Sequence, residues 1–282
     1  MKTKIVAEFA SSWNADPDLM RAMVKSASEN GADICKLQDY RAKNVPDTDP
    51  DKARYEKYQM RDELYQEFLT WCKEYGVEPL TSVFNADRAE FVASLGFKKV
   101  KIASVCMTNH ELLKMAGAHF DEVIVSTGMW NREEIEEAAD LLSSCATEYT
   151  LMACTAEYPM DAADANLCRI DELKEMLAGQ EYAHVGYSDH ALDLDVAKAA
   201  ITRGVEYIEK HFTLSRYLPQ TPHQMYSGGP HVTTHQVAIE PHELRELAKW
   251  RDKVAIMEGE RGFVRTEVEN KICQRYLNRY GV

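Results

Sequence analysis

Short apolar runs alternate with longer amphipathic stretches along this chain of 282 residues. The short runs are rich in β-branched residues and predict strands, whereas the longer stretches carry apolar residues at helical spacing. The predicted strands are residues 4–9, 33–38, 79–84, 100–104, 122–127, 149–154, 184–188 and 206–212. The predicted helices are residues 18–30, 62–75, 86–95, 109–116, 132–143, 170–177, 194–203 and 241–257. This alternation predicts an α/β fold, a single (β/α)8 TIM barrel that spans residues 1–282.

A doubly wound open sheet is the alternative architecture. In that fold a glycine-rich phosphate loop commonly follows the first strand. Here the first strand runs into Glu8-Phe9-Ala10-Ser11, with neither a G-x-G-x-x-G motif nor a Walker lysine. The pattern therefore favours the barrel.

Two stretches are longer than a barrel needs. Residues 41–61 follow the second strand and are polar, and residues 215–237 form an insert after the eighth strand. The insert contains Gly228-Gly229-Pro230 and three histidines, His223, His231 and His235. Long loops after barrel strands lie on the catalytic face, so both are candidate lids, with a solvated surface loop as an equal alternative for the first. Residues 265–280 are predicted as a terminal helix.

Composition narrows the classes of function. The 46 acidic and 33 basic residues give a formal net charge of −13, which argues against nucleic-acid and anionic-membrane partners. The N-terminal residues lack the features of a signal peptide, and no apolar run is long enough to cross a membrane. Seven scattered cysteines without a C-x-x-C pair predict reduced thiols in a cytoplasmic protein.

Polar side chains stand at the C-terminal ends of all the predicted strands, where barrels place their chemistry. They are Glu8, Lys36, Gln38, Ser82, Lys101, Ser104, Ser126, Thr127, Cys154, Thr155, Ser188, His190, Glu209 and His211. Because side chains alternate along a strand, Glu209 and His211 share one face, whereas Lys210 falls on the other. We therefore leave Lys210 out of the predicted site.

Two histidines, His190 and His211, end successive strands that one helix separates. Two neutral imidazoles at one rim of a parallel sheet form a candidate site for a divalent metal. Lys36 and Lys101, with the hydroxyl groups near them, form a candidate cradle for a doubly charged phosphate ligand. Each residue taken alone also has a structural explanation, as a hydrogen-bonded core histidine or as a lysine whose alkyl chain packs at a strand end.

Short motifs occur along the chain in a characteristic order. They are Ala7-Glu8, Lys36-Leu37-Gln38, Lys101-Ile102-Ala103-Ser104, Ser126-Thr127-Gly128-Met129, Cys154-Thr155, Tyr158-Pro159, Gly186-Tyr187-Ser188-Asp189-His190 and Ile208-Glu209-Lys210-His211-Phe212-Thr213. From about residue 3 to residue 257 this set resembles the catalytic barrel of the sialic acid synthase family, which includes N-acetylneuraminate, legionaminate and pseudaminate synthases. Its members condense phosphoenolpyruvate with the open-chain aldehyde of an N-acetylated amino sugar, giving a 2-keto-3-deoxy acid and phosphate.

The resemblance implies a role for each strand-end residue. His190 and His211 would bind Mn²⁺ or Mg²⁺, which would polarise the aldehyde, and Glu8 would orient or deprotonate the attacking water. Gln38 and Glu209 would face the sugar. The residues implied to hold phosphoenolpyruvate are Lys36, Ser82, Lys101, Ser104, Tyr158 and Ser188.

Several positions depart from the family pattern. Val105 and Cys106 stand where glycine and an acidic residue are usual, Ala156 replaces a polar residue, and Trp13 replaces a histidine. Cys106 is either an additional soft metal ligand or a packed thiol, and the packed thiol is the favoured interpretation. The insert at residues 215–237 replaces a short turn whose histidine has its nearest counterpart in His235.

Typical family members continue into a small antifreeze-like domain that reaches the active site of the partner in a homodimer. This sequence ends at Val282, without such a domain. We therefore expect either the insert or a separate protein to cover the site, or the sugar pocket to be remade. A homodimer remains the expectation from the family.

Three functions are consistent with these residues. The first is a metal-dependent synthase that joins phosphoenolpyruvate to a sugar-like aldehyde of the N-acetylhexosamine type. The second is a related barrel aldolase or lyase with a different substrate, and the third is a non-catalytic relative that binds a phosphorylated ligand. Retention of both histidines with Glu8 and Lys101 argues against the third, whereas Cys106, Ala156 and the missing domain favour the second. The first is the preferred interpretation.

Overall fold

Eight parallel strands form a closed barrel in the order β1 to β8, in a computed structural model that describes residues 2–219, 234–259 and 262–280. The strands are β1 Lys4–Glu8, β2 Ile34–Asp39, β3 Glu78–Val83, β4 Lys99–Ile102, β5 Glu122–Ser126, β6 Glu148–Cys154, β7 Ala183–Asp189 and β8 Tyr207–His211. Each coincides with a predicted strand. The prediction of a (β/α)8 barrel is confirmed.

Most of the helices lie where the apolar spacing predicts them. The helices are α1 Pro17–Glu29, α2 Lys52–Tyr58, α3 Leu64–Tyr75, α4 Ala86–Ser94, α5 His110–His119, α6 Arg132–Cys145, α7 Cys168–Met176, α8 Asp195–Thr202, α9 Thr234–Val237, α10 Pro241–Glu258 and α11 Glu267–Tyr280. Of these, α2 and α9 fall in stretches for which no helix is predicted. The predicted terminal helix is confirmed as α11, although it begins at Glu267. None of the helices within the described ranges is long and apolar enough to span a membrane.

The stretch at residues 41–61 is not the plain loop that its polar composition predicts. It contains a 3-10 turn, Ala42–Asn44, and the helix α2. The Lys52 ammonium ties the two together by donating to the carbonyls of Ala42 and Val45, at 2.7 Å each. Arg54 is buried and donates to Ser11 Oγ at 2.5 Å. Charged side chains that a sequence pattern assigns to solvent therefore hold this segment against the barrel.

Short polar caps start several helices directly after the strand ends. Asn85 Oδ1 accepts from Arg88 N at 3.0 Å to begin α4, and Asn109 Oδ1 accepts from Leu112 N at 3.1 Å to begin α5. Such caps satisfy backbone donors that no carbonyl reaches. The caps therefore fix the starts of α4 and α5 near the strand ends that form the barrel mouth.

Inside the barrel, an apolar layer closes the floor beneath the mouth. Its members are Val6, Ile34, Leu80, Ile124, Met152 and Tyr207. Gly186 belongs to this layer because a Cβ there would lie 2.9 Å from Met152 Cγ. The missing side chain thus leaves the space that Met152 fills.

A closed polar network lies at the opposite end of the barrel. Lys99 Nζ lies 3.2 Å from Glu122 Oε2 and donates to the Tyr207 hydroxyl at 3.1 Å. That hydroxyl in turn donates to Glu122 at 2.7 Å. Because these groups satisfy one another's charges and hydrogen bonds, this end of the barrel contributes to stability, as is usual for the N-terminal face of a barrel.

The insert after β8 is described only at its two ends. Residues 220–233, with His223 and His231, lie outside the described residues. On the far side, α9 leads into a parallel bridge between Phe212 and Ile239, and His235 is fully buried beside it. His235, the predicted counterpart of the family's histidine, therefore packs within the protein.

Candidate active site

One cavity of about 430 Å³ opens at the C-terminal ends of the strands. It brings together all of the side chains to which the resemblance assigns a role at the site. They are Glu8, Lys36, Gln38, Ser82, Lys101, Ser104, Tyr158, Ser188, His190, Glu209 and His211. These side chains therefore share one cavity, and the role of each remains a prediction.

The strand register explains how distant residues meet. Glu8 lies opposite Lys36 on β2 and opposite His211 on β8. Ser82 lies opposite Lys101 in the same manner on β3 and β4. Because neighbouring parallel strands turn opposed residues to the same side, these side chains share the inner face.

Two carboxylates hold the first lysine of the predicted phosphate cradle. Lys36 Nζ lies 2.9 Å from Glu8 Oε2 and 2.9 Å from Glu209 Oε1. The second oxygen of Glu209 lies 3.3 Å from Lys101 Nζ. Glu209 therefore bridges both lysines, and all four side chains are buried. An incoming anion would meet lysines that already have a counter-ion.

The pKa values of the bridging groups follow from burial and charge. Burial works against the charge of Lys36, but Glu209 and Glu8 outweigh it and raise the pKa of this ammonium. Burial likewise disfavours ionised Glu209, yet Lys101 and Lys36 lower the pKa of that carboxyl well below its usual range. At neutral pH, Lys36 and Glu209 therefore form a charged pair.

Lys101 is the weaker cation of the two. Burial lowers the pKa of its ammonium, and the nearby charge of Lys36 lowers it further, against the attraction of Glu209. A bound anion would restore the balance by supplying negative charge next to Lys101. This makes Lys101 the group that gains most from an anionic ligand.

Glu8 has a fixed carboxylate with a raised pKa. Its Oε1 accepts from Ala10 N at 2.8 Å, while Oε2 faces Lys36. Burial raises the pKa of this carboxyl, and Glu209 adds to the effect against the attraction of Lys36. A raised pKa makes this carboxylate a stronger base, which suits proton transfer.

Three serine hydroxyl groups that line the cavity are held by hydrogen bonds to their neighbours. Ser82 Oγ accepts from Lys36 Nζ at 3.4 Å, and Ser188 Oγ donates to Glu209 Oε1 at 3.4 Å. Gly128 N donates to Ser104 Oγ at 3.1 Å. A Cβ at Gly128 would lie only 3.0 Å from that oxygen, so glycine permits the close approach.

The two histidines form an aromatic group with Tyr158. The ring centroids of His190 and His211 lie 5.8 Å apart, and the Tyr158 ring lies 3.8 Å from His190. His190 Nδ1 lies 2.8 Å from the carbonyl of Thr155, which places the proton on Nδ1 and leaves Nε2 as the acceptor nitrogen. Burial lowers the pKa of His190 to about 4. Burial and the neighbouring His190 lower the pKa of His211 well below its usual value.

These imidazoles fit part of a metal site. Both are neutral at pH 7, which is the form that binds metals, and 5.8 Å between ring centroids lets two rings share one ion when the bonds are roughly 2 Å long. His211 Nδ1 is buried and has no hydrogen-bond partner within the described structure. No cluster of three or more His, Cys, Asp or Glu side chains suited to a metal occurs among the described residues. Water or substrate oxygen would therefore complete the coordination.

Three residues near the cavity do not line it, namely Asp189, Lys210 and Cys106. Lys210 points away from the cavity and forms a fully buried ion pair with Asp189 at 2.9 Å, as its parity predicts. Cys106 does not line the cavity, its Sγ lies 3.7 Å from the carbonyl of Phe84, and burial raises its pKa to about 11. A protonated, packed thiol is a poor metal ligand, which favours the structural interpretation of Cys106.

Other lining residues had no signal in the strand pattern. Asp49 and Tyr55 come from residues 41–61 and reach the cavity only because α2 folds back over the barrel mouth. Ala156, which departs from the family pattern, lines the cavity beside Gly128, whose added Cβ would lie 3.3 Å from it. Trp13 is instead buried in the core. The polar composition of residues 41–61 does not show which way this segment folds. The contribution of Asp49 and Tyr55 to the cavity could therefore not be predicted from the sequence.

Known proteins share this sequence pattern. Residues 23–262 match the NeuB family. The chain is 31% identical over 264 residues to N,N'-diacetyllegionaminic acid synthase of Campylobacter jejuni, covering 87% of this chain and 74% of that protein. It is 30% identical over 240 residues to pseudaminic acid synthase of Helicobacter pylori, covering 79% and 69%.

Solved structures share the fold. A spore coat polysaccharide biosynthesis protein of Bacillus subtilis superimposes with a TM-score of 0.77 at 27% identity, over 90% of this chain and 68% of that one. N-acetylneuraminic acid synthetase of Leptospira borgpetersenii superimposes with a TM-score of 0.86 at 23% identity, over 99% and 93%. At that identity the second likeness concerns the fold alone. The sequence match, which covers most of the barrel, confirms the predicted resemblance: the chain belongs to the NeuB family.

Proposed function

We propose that this protein condenses phosphoenolpyruvate with the aldehyde of an N-acetylated amino sugar, releasing phosphate and forming a 2-keto-3-deoxy sugar acid. The observation that carries the proposal is a single cavity in which two buried lysines stand beside two neutral imidazoles. Relatives named as legionaminic and pseudaminic acid synthases support a synthase of this type. Membership of the NeuB family supports it further.

Phosphoenolpyruvate would bind by replacing part of the pairing between Glu209 and the two lysines. Lys36 and Lys101 share Glu209 before binding, at 2.9 Å and 3.3 Å. The phosphate and carboxylate groups would replace part of this pairing and gain further hydrogen bonds from Ser82, Ser104 and Ser188. Because the lysines lie on strands rather than on loops, their positions are fixed before the ligand arrives.

The reaction balances without an oxidant. The enol double bond of phosphoenolpyruvate attacks the aldehyde carbon and forms a carbon–carbon bond, and the aldehyde oxygen takes a proton. Water adds to C2 and gives its proton to Glu8, whose raised pKa suits a base that later returns the proton. The bond between C2 and the phosphate oxygen then breaks, and the departing phosphate takes the proton that Glu8 holds. The C2 hydroxyl loses its own proton to give the ketone, which balances the proton that the aldehyde oxygen takes from solvent.

The histidine pair would hold the cofactor of this reaction. A divalent ion, Mn²⁺ or Mg²⁺, bound by His190 and His211 would polarise the aldehyde oxygen. Gln38 lines the same cavity and would contact the sugar. Glu209 was also predicted to face the sugar, but its pairing with both lysines favours a role in the phosphate cradle instead.

Phosphate release from phosphoenolpyruvate tests the proposal. We expect release only when Mn²⁺ or Mg²⁺ and an N-acetylhexosamine-type aldehyde are both present. His211→Ala should abolish release, whereas Cys106→Ala should retain it. Phosphoenolpyruvate that stays intact with every aldehyde, but still binds, would instead indicate a non-catalytic relative.

A related aldolase or lyase is the second candidate function. Cys106, which packs away from the cavity, and Ala156, which lines it, both stand where the resemblance leads us to expect polar groups, so the acceptor end of the cavity has changed. Cleavage of a keto acid into pyruvate and an aldehyde, without any use of phosphoenolpyruvate, would favour this function.

A homodimer through α11 is also part of the proposal. None of the residues of α11 is buried, and its stripe of Val268, Ile272, Tyr276 and Tyr280 is 48–68% exposed. If two copies of α11 pack antiparallel about residue 274, Ile272 of one meets Tyr276 of the other, and Glu269 meets Arg279. This match of apolar and opposite charges favours a second copy as the partner. A separate protein that supplies an antifreeze-like domain, and a cytoplasmic location, stay predictions.

A further inference from the structure

A second cavity, of about 600 Å³, adjoins the one that holds the lysines and histidines. Tyr55 and Val105 line both cavities, so they form the boundary between them. The walls come from the segments that follow β2, β3 and β4. The second cavity therefore lies where a substrate that reacts in the first could extend.

Three aromatic rings form one side of the second cavity. The Tyr40 ring meets the Tyr55 ring edge to face at a centroid distance of 5.0 Å, and it meets the Phe84 ring in the same way at 6.2 Å. Asn44 and Asn85 contribute amide groups to the same cavity. Apolar rings with a few polar groups are typical of pockets that bind small organic ligands, including the C–H faces and amide groups of acylated sugars.

The charges of the second cavity disfavour an anion. Arg41 is the only lysine or arginine that lines it within the described structure, and this guanidinium is already paired with Asp39 at 3.1 Å and with Asp62. The exposed carboxylates of Asp87 and Glu111 also line this cavity. Residues 220–233 contain no lysine or arginine that could add positive charge.

Two helices also begin at this cavity, and the N-terminus of a helix usually favours anions. The two N-termini are the first turns of α4 and α5, which Asn85 and Asn109 cap. However, Asp87 and Glu111 stand in these first turns and already supply negative charge. A phosphate group would have to approach both carboxylates. Their negative charge offsets the positive field of the helix N-termini, so these ends do not form a phosphate site.

We propose that the second cavity binds the distal part of the acceptor and selects an unphosphorylated N-acylated amino-sugar aldehyde over its phosphate ester. This inference rests on the proposed function, because it names the acceptor of the same reaction. The acceptor's aldehyde lies at the histidines, and its tail passes Tyr55 and Val105 into the aromatic cavity.

Acceptor kinetics test the inference, with N-acetylmannosamine and its 6-phosphate as probes. We expect the kcat/KM of the wild-type protein for the neutral sugar to exceed that for the phosphate ester by at least about tenfold. A preference for the phosphate ester would overturn the inference and leave the condensation itself intact. Absence of turnover with both sugars and with an aldehyde panel would instead overturn the proposed function.

A matched pair of substitutions tests the position of the acceptor. Asn44 lines only the second cavity, and its exposed neighbour Lys43 lines neither. We expect Asn44→Trp to raise the KM for the neutral sugar about tenfold or more while the KM for phosphoenolpyruvate stays within about twofold. Lys43→Trp should change neither. Equal acceptor KM values in Asn44→Trp and the wild type, with circular dichroism that shows both folded, would overturn the inference.

The carboxylates provide an independent test. Asp87→Asn combined with Glu111→Gln removes two negative charges and keeps the side-chain volumes. We expect this variant to narrow the preference for the neutral sugar severalfold, chiefly by better use of the 6-phosphate. An unchanged ratio of the two kcat/KM values would contradict the electrostatic basis of the selection.

Discussion

Lys36 Nζ lies 2.9 Å from Glu209 Oε1 across the interior of the barrel, and both side chains are buried. The second oxygen of the same carboxylate reaches Lys101. Glu209 therefore acts as an internal counter-ion that an anionic substrate must displace in part. Without it, buried positive charge would lack compensation whenever the cavity contains no ligand.

Glu209→Gln should show how far the buried lysines depend on Glu209 as their counter-ion. We expect the free energy of unfolding without ligand to fall by about 3–5 kcal/mol, since Lys101 loses its counter-ion in a buried site. Saturating phosphoenolpyruvate should then raise the Tm of this variant more than that of the wild type, because the ligand replaces the lost charge. Thermal unfolding with and without phosphoenolpyruvate measures both effects.

Ser188→Ala is the control for the stability without ligand, because it removes a 3.4 Å hydrogen bond to Glu209 but leaves both lysines paired with that carboxylate. Its stability should change by about 1 kcal/mol or less. A ligand-induced rise in Tm that is equal or smaller in Glu209→Gln than in the wild type would show that Glu209 does not compete with the anion.

Stability should fall in mildly acidic solution. The pKa of His190 is lowered from 6.5 to about 4 by burial, so the unfolded chain binds a proton that the folded chain rejects. The stabilising contribution is therefore fully present above pH 6.5 and is lost as the pH falls towards 4. We expect His190→Asn to reduce this loss by about 3 kcal/mol, measured by urea unfolding across that range. Equal pH slopes in both proteins would contradict the assignment.

A divalent ion should stabilise the folded protein through the histidines. We expect Mn²⁺ to raise the Tm of the wild type and of Cys106→Ala alike, because the thiol packs against Phe84 rather than into the cavity. His190→Ala and His211→Ala should each remove most of the shift. If Cys106→Ala loses the shift, the thiol is a ligand after all.

Gly186 should not tolerate a side chain. A Cβ there would lie 2.9 Å from Met152 Cγ and 3.2 Å from the carbonyl oxygen of Tyr207. We expect Gly186→Ala to lower the free energy of unfolding by roughly 1–3 kcal/mol, with partial recovery when Met152→Val is added. Chemical unfolding of the single and double variants measures this. Full stability of Gly186→Ala would mean that the apolar floor has spare room.

The oligomeric state should depend on α11. Ile272→Glu places a charge in the exposed apolar stripe and should convert a dimer into a monomer in light scattering after gel filtration. Asn270→Glu, on the opposite side of the same helix, should leave the dimer intact. If the wild type is a monomer at all concentrations, α11 has another function.

Much of the fold could be predicted because its signal is local. The runs that form β1 to β8 are apolar and end in polar residues, and a parallel barrel must bring those ends together. Alternation along β8 separated Lys210 from Glu209 and His211 correctly. Neither inference needed any knowledge of contacts between distant strands.

The rest depends on contacts that no local pattern encodes. Glu209 meets Lys36 and Lys101 across the barrel interior, so its role as their counter-ion emerges only when the strands close. The helix α2 was missed because Arg54 uses its charge internally, on Ser11. The aromatic cavity combines Tyr40, Tyr55 and Phe84 from separate segments, which sequence spacing could not place together.

The most direct test of the central claim follows the fate of one oxygen atom. Phosphoenolpyruvate that carries ¹⁸O between C2 and phosphorus is incubated with the protein, Mn²⁺ and N-acetylmannosamine, and both products are analysed by mass spectrometry. Attack of water at C2 predicts one molecule of phosphate per molecule of keto sugar acid, with the label in the phosphate. Label in the keto acid, or phosphate released without any condensed product, would contradict the account.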